Sequence, residues 1–205
     1  RIVFQSYRTG RFQLWSIGAD GSGLRQLTNG EGDHREPCFS PDGRSILFSS
    51  DMSGRYAIHL LDDATGAIRQ ITHGESQDSE PCFSPDGTRI AYIADSSSLM
   101  LSDLSGVGHV VSSIPKAVDW AHPSELHAPS FSPGGDIAHI AIVGAAATLH
   151  VGGKPVVTGE DVYPFKTGWF PNGDLLYASG GKIRRRDLAG ATREIAIRAE
   201  AAVTT

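Results

Sequence analysis

An all-β propeller of four-stranded antiparallel blades is the fold this sequence predicts, and three observations predict it. The chain repeats itself at a period of 44 residues: 1–43 align on 45–87 without a gap, with 18 of 43 positions identical. Each repeat carries four short strand signals with a turn signal between neighbours. Helical periodicity is missing, while 24 glycines and 11 prolines supply turns. A four-stranded unit of this size cannot bury both faces alone, but such units arranged around an axis can. A β-solenoid and a sandwich with coincidental similarity are the competing folds.

The repeat is anchored by Glu36-Pro37-Cys38-Phe39-Ser40-Pro41-Asp42-Gly43, which recurs unchanged as Glu80 to Gly87. Weaker copies follow at Pro129 to Gly135 and Trp169 to Gly173, so the recurring proline falls at 41, 85, 133 and 171. In the clearest copy strand A runs Pro37 to Ser40 and ends in a Ser-Pro-Asp-Gly turn, where proline presets φ and glycine closes the turn. Strand B is Ser45 to Ser50, with Ile46 and Phe48 on one face by period-two alternation. Strand C is roughly Tyr56 to Leu61, and strand D is Ile68 to Thr72. The pairs Ile2/Phe4, Ile46/Phe48, Ile90/Tyr92 and Leu175/Tyr177, joined by Phe39, Phe83, Phe131 and Trp169, form the expected layers between blades. The repeats divide as 1–35, 36–79, 80–126, 127–160 and 161–198 within one propeller segment spanning 1–205, with a tail at 199–205.

About five blades are expected, the first incomplete because the sequence opens on a strand B. Two explanations compete: a segment of a larger propeller, which is the expectation, or a tail at 199–205 that closes a five-bladed ring. No charged-then-apolar leader precedes the first strand, so no signal peptide is expected within these residues.

Net charge is −5 with a pI near 5.9, which argues against nucleic acid as a partner. No run of eighteen apolar residues occurs, so no membrane-inserting segment is expected. Cys38 and Cys82 stand at equivalent places on neighbouring repeats. Sheets packed about 10 Å apart exceed the roughly 7 Å Cα reach of a disulfide, so both are expected as free thiols.

Pro-x-Phe-Ser-Pro-Asp-Gly, a β-run, glycine before strand C, and Leu27-Thr28 or Ile71-Thr72 closing strand D together resemble the TolB-type propeller repeat. The resemblance covers nearly the whole chain, strongly over 1–95 and more loosely over 96–170. The stretch from Gly173 through Lys182-Ile183-Arg184-Arg185-Arg186 to Ala199–Thr204 is similar to the propeller half of bacterial proteins in which such blades precede a metal-dependent amidohydrolase domain. The resemblance implies a periplasmic or secreted protein. It also implies one of three roles: a platform for protein partners, a gate over a linked hydrolase, or a sugar-acid (oligogalacturonate-type) lyase whose histidines hold a metal.

Direct signs of chemistry are few. The Gly-x-Ser-x-Gly elbow, His-Glu-x-x-His and Cys-x-x-Cys are all absent. Gly18 to Gly23 aligns with the plain turn at Asp62 to Ala67, so it reads as a turn and not as a phosphate loop. His59, opposite Trp15 of the preceding repeat, reads as a surface or inter-blade residue. His34, His122 and His127 fall in the D-to-A connections, which border one mouth of a propeller channel. Asp33, His34, Arg35 and Glu36, then Asp78, Ser79 and Glu80, then His127 occupy corresponding places on three successive blades. They are the candidate residues for a ligand or partner at that mouth; no cofactor, metal or catalytic residue is assigned. The alternative for Glu36 and Glu80 is that they satisfy backbone donors. Arg184 to Arg186 are expected on an exposed outer strand. The function expected is a non-catalytic module that binds a protein or gates a linked enzymatic domain. Self-association to complete the ring is a further possibility, and the amidohydrolase and lyase readings are the alternatives.

Overall fold

In the computed structural model, which describes residues 1–117, 119 and 121–196, nineteen strands form five small antiparallel sheets. Blade 1 holds β1 (Ile2–Ser6), β2 (Gln13–Ile17) and β3 (Arg25–Gln26). Blade 2 holds β4 (His34–Phe39), β5 (Ser45–Ser50), β6 (Ala57–Asp62) and β7 (Ile68–Gln70). Blade 3 holds β8 (Asp78–Phe83), β9 (Arg89–Ala94), β10 (Ser98–Asp103) and β11 (Gly108–Ser113). Blade 4 holds β12 (Ser124–Phe131), β13 (Ile137–Val143), β14 (Ala146–Val151) and β15 (Lys154–Val157). Blade 5 holds β16 (Gly168–Trp169), β17 (Leu175–Ser179), β18 (Lys182–Arg186) and β19 (Thr192–Ile195). Strands pair in sequence order within each sheet, and the first strands β4, β8 and β12 of successive blades pack side by side. The result is a propeller arrangement of five blades, the first with three strands.

Turn chemistry repeats with the sequence. Gly43 N–H donates to the Ser40 carbonyl at 2.9 Å and Gly87 N–H to that of Ser84 at 2.9 Å, with both glycines in the left-handed region (φ 69° and 72°). The Ser40 and Ser84 hydroxyls donate to Asp42 and Asp86 at 2.6 Å each. Hydrogen bonds from serine and from following amides hold both carboxyls below the usual range, Asp86 at about 2.

Apolar layers lie between blades, as the paired positions predict. Ile46, Phe48 and Leu61 of blade 2 pack on Leu14 of blade 1. Leu47 and Ile58 pack on Phe83, Ile90 and Tyr92 of blade 3. Ala91, Ile93 and Leu99 meet Leu126, Phe131 and Ile137 of blade 4, and Ala138, Ile140 and Leu149 meet Leu175 and Tyr177 of blade 5. Burying each large side chain here contributes roughly 2 kcal/mol. On the corresponding face of all five blades, one cross-strand position pairs Phe4 with Trp15, Phe48 with His59, Tyr92 with Met100, His139 with His150 and Tyr177 with Arg184, and in blades 2 to 5 that face is turned toward the preceding blade. His59 stacks on Phe48 at 5.5 Å between centroids, and His139 on His150 at 5.0 Å. His59 is thus an inter-blade residue.

Backbone bonds tie the inner strands of blades 2, 3 and 4 to the B–C turn of the blade before each. His34 N–H donates to the Phe12 carbonyl (2.7 Å), Asp78 N–H to that of Tyr56 (2.9 Å), and Leu126 N–H to that of Ser96 (2.6 Å). The D–A and B–C connections therefore share one end of the molecule.

Several boundaries differ from the sequence reading. The inner strand of blade 2 starts at His34, three residues before Pro37, because a bulge lets the strand pass through the proline that marks a start in the sequence. Strand C covers Ala57–Asp62 and strand D stops at Gln70. The strands of blades 2 to 5 span 34–70, 78–113, 124–157 and 168–195. Arg184 to Arg186 lie on β18, an interior strand covered by β19, and each is tied down: Arg185 to Asp174 (Nε to Oδ2, 2.6 Å), Arg184 to Glu160 (3.4 Å), Arg186 to the Gly190 carbonyl (2.7 Å). Ile2 and Phe4 face no blade, and Ile2 is 52% exposed. The tail that the competing explanation uses to close the ring, 198–205, lies outside the described residues.

Candidate functional site

Glu36, Glu80 and Ala128 stand at one repeat position on three blades, each just before a proline and each with positive φ (56°, 54° and 55°). Each sits where the register between the first two strands of its blade slips. Left-handed backbone in a non-glycine residue before proline costs of order 1–3 kcal/mol, so it persists only where the surroundings impose it. The surroundings here are a relay of side-chain acceptors. The amide freed at each bulge donates to a side chain of the blade before it: Glu36 N–H to Gln5 Oε1 (2.6 Å), Glu80 N–H to Glu36 Oε2 (2.7 Å), and Ala128 N–H to Glu80 Oε2. The Ser49 hydroxyl also donates to Glu36 Oε2 at 2.8 Å.

His127 closes the relay. Its Nδ1 lies 2.9 Å from Glu80 Oε1 and its Nε2 3.0 Å from Glu125 Oε2, so both ring nitrogens point protons at carboxylates. The hydrogen bond to Glu80 outweighs burial and lifts this imidazole to about 9. On blade 5 the relay position is held by Lys166, whose ammonium donates to the Pro81 carbonyl at 3.1 Å and so ties blade 5 to blade 3.

The remaining candidates part company. Asp33 pairs with Arg35 (2.8 Å), and that bond is the main reason its carboxyl stays below the usual range. The Arg35 guanidinium lies 4.2 Å over Phe12 and 5.9 Å from Tyr56. His34 and Asp78 do not face the channel. His34 is 1% exposed and packs against Phe48 at 5.1 Å, and burial lowers its pKa. Asp78, also buried, accepts the Ser76 hydroxyl at 2.7 Å, and burial raises its pKa. Ser79 is half-buried in register with Ile93. Of the candidates, Glu36, Glu80 and His127 come together. They lie within inner strands, not in connections, since β4 and β12 begin earlier than the sequence reading placed them. His122 stays in a connection, 2.8 Å from Asp119.

Gln5, Ser49, Glu125 and Lys166 complete the arrangement and were not singled out in the sequence. Gln5 aligns with Ser49, and Lys166 aligns with Glu36 and Glu80, so repeat alignment carries a signal for all four except Glu125. Glu125 shares a strand face with His127 by two-residue spacing. The arrangement can lock blades in register, because its carboxylates are occupied by backbone amides, a serine and an imidazolium. Among the described residues no three His, Cys, Asp or Glu groups gather to hold a metal ion.

Cys38 and Cys82 are free thiols. Cys82 is buried and its thiol is pushed up to about 12 by desolvation, whereas Cys38 is half-buried. Titration of the native protein with 4,4′-dithiodipyridine at pH 8 is expected to modify Cys38 first and Cys82 only on unfolding; simultaneous modification would refute the assignment.

Comparison with known proteins agrees with this architecture. The model of the TolB beta propeller domain matches residues 1–138. No curated protein matches the chain. Among solved structures, TolB from Acinetobacter baumannii aligns with a TM-score of 0.69 at 20% identity over 94% of this chain and 51% of that one. A puromycin hydrolase variant complexed with PGG aligns at 0.65 and 18% identity, over 96% and 37%. An oligogalacturonate lyase in complex with manganese aligns at 0.51 and 20% identity, over 94% and 72%. The chain thus spans about half the length of the TolB structure it matches. With a repeat, a blade order and a family model in agreement, this chain belongs to the TolB beta propeller domain family.

Proposed function

We propose that this propeller is a non-catalytic binding module that docks a protein partner, or covers access to a linked enzymatic domain, in the periplasm or outside the cell. The observation that carries the reading is the occupation of Glu36, Glu80 and His127 by one another and by backbone amides, which leaves them structural rather than reactive. The end that carries the D–A and B–C connections also exposes large apolar side chains: Tyr7 at 60%, Met52 at 50% and Phe165 at 65%. Such groups gain most when a partner covers them.

The test compares wild type with Phe165→Asp and with Leu188→Asp, a still more exposed apolar position (80%) on a C–D turn at the opposite end. Each variant is used for cross-linking and quantitative mass spectrometry in extracts of the producing cell. Loss of a specific cross-linked protein with Phe165→Asp alone is the expected outcome. Equal recovery with all three would overturn the assignment of the binding end.

The second reading places this propeller before a metal-dependent amidohydrolase-type domain. The likeness of residues 173–204 to such propellers supports it. The chain also matches a puromycin hydrolase, of which it covers only 37%. Downstream coding sequence with a His-x-His motif would favour it, and its absence would remove it. The lyase reading gains less: His34, His122 and His127 each have separate surroundings, as described above.

A further inference from the structure

Apart from the channel mouth, the same end of the molecule carries a second polar recess, between blades 1 and 2. The connections 29–33 and 51–56 frame an open recess of about 440 Å3 lined by Asn29, Glu31, His34, Asp51 and Met52 and by Gly30, Gly32 and Gly54. Its walls are built rigidly. Buried Gln13 donates from Nε2 to the carbonyls of Gly32 (3.0 Å) and Gly30 (3.4 Å), while its Oε1 accepts the Thr28 hydroxyl at 2.9 Å. Asp51 Oδ1 accepts the Asp33 amide at 2.8 Å and so pins one connection to the other. Gly32 passes so close to the Met52 backbone that a Cβ there would lie 2.9 Å from Met52 Cβ, which closes the wall against any larger residue. A recess held by buried polar side chains is preformed, and a ligand need not order it.

The lining chemistry is one-sided. Two acidic residues, an asparagine and three glycines line the recess, and neither lysine nor arginine does. His34 lines it too, fully buried, with Nδ1 sealed from solvent and without a hydrogen-bond partner. Burial keeps this ring neutral near pH 7, so it adds no positive charge to the site. Anions therefore find no counter-charge here. A bound metal ion needs three or more converging ligands, and no such group of His, Cys, Asp or Glu exists among the described residues. What remains is a cation rich in hydrogen-bond donors and undemanding in geometry. A primary ammonium group has three donors, no acceptor and a flexible apolar stem that can lie along a thioether.

We propose that this cavity binds a small organic ammonium ion, an alkylamine or diamine, with Asp51 and Glu31 as counter-charges, the Asn29 amide oxygen as an acceptor and Met52 against the alkyl part. The recess shares Met52 with the docking end proposed above, but it does not rest on that reading. Either can fail without the other.

The test uses the whole chain with 1,4-diaminobutane as probe. Amide chemical shifts are followed by NMR up to roughly 10 mM, a range that detects millimolar affinity. Tetramethylammonium serves as a cation without N–H donors, and glycerol and glucose as neutral polyols. Saturable shifts at Asn29, Gly30, Gly32 and Met52 with diaminobutane are expected, with little response to the controls. Asp51→Asn keeps an oxygen for the Asp33 amide and should weaken binding about tenfold, the size of losing one charge-assisted contact. Glu31→Gln, on the exposed rim, should weaken it less. No saturable shift, an equal response to tetramethylammonium or to a polyol, or unchanged affinity in Asp51→Asn would each overturn the proposal.

Discussion

Replacing Glu80 with alanine is expected to destabilise the fold by about 3 kcal/mol, with loss of its pH dependence on the alkaline side. Glu80 accepts the Ala128 amide on one oxygen and the His127 imidazole on the other, and both partners belong to the next blade. Without the carboxylate, a bulge amide at a strained backbone position has no acceptor, and His127 keeps only Glu125. The sign of the pH effect follows from the imidazole. Its folded pKa of about 9 lies above the unfolded value of about 6.5, so its contribution is complete below pH 6.5 and disappears as pH rises through 9. Urea unfolding at pH 6.5 and pH 9.5 checks this. Wild type should lose stability between the two, and Glu80→Ala, already weak at pH 6.5, should lose far less. Glu80→Gln should fall between them, since its amide oxygen can still accept one N–H. Parallel alkaline losses in wild type and Glu80→Ala would contradict the role assigned to His127.

The second large effect lies on the acid side. His139 is 2% exposed and stacks on His150 between blades, and desolvation lowers it to about 4. Burial also lowers His150, His34 and His59. For such a base the unfolded chain takes up its proton first. Stability is intact above pH 6.5 and declines as pH falls from there toward 4, by up to roughly 3 kcal/mol for His139 alone. Asp78, whose carboxyl is raised by burial, acts with the opposite sign and blunts the decline near pH 4. His139→Leu fills the same inter-blade layer without a titrating ring, so its melting temperature should change much less between pH 7 and pH 4.5. If the variant is as acid-sensitive as wild type, the acid lability originates elsewhere. Together the two histidines, clamped and buried, place the stability maximum near pH 6.5.

What the sequence makes legible here is whatever the repeat encodes. Ile46/Phe48, Ile90/Tyr92 and Leu175/Tyr177 lie between blades because a 44-residue period returns the same face to the same place. The Ser-Pro-Asp-Gly turns are local chemistry, and they form where the motif stands. The start of the inner strand was not legible, because proline ordinarily ends pairing and here a bulge at Glu36 carries the strand past it. Nor was the fate of His34 and Asp78. They precede the bulge by two residues, and the extra residue decides which side chains turn inward between blades and which reach the mouth. Glu36 and Glu80 satisfy backbone donors, the plainer of the two roles the sequence left open. Gln5 as the first member of the relay could be found only by aligning it with Ser49 and knowing which amide the bulge sets free. Arg184 to Arg186 misled because a basic run suggests an outer strand, whereas Asp174, Glu160 and the Gly190 carbonyl accommodate it on an interior one.

The claim on which the account depends is that side chains of each blade hold the bulge amide of the next. Native-state hydrogen exchange reads those amides one at a time. In wild type the Glu80 and Ala128 amides should be protected to the same degree as neighbouring amides of their sheets. In Glu36→Ala the Glu80 amide alone should lose protection, and in Glu80→Ala that of Ala128. Rapid exchange of both amides in the unaltered protein, or protection that survives loss of the carboxylate, would show that the blades are joined by something else.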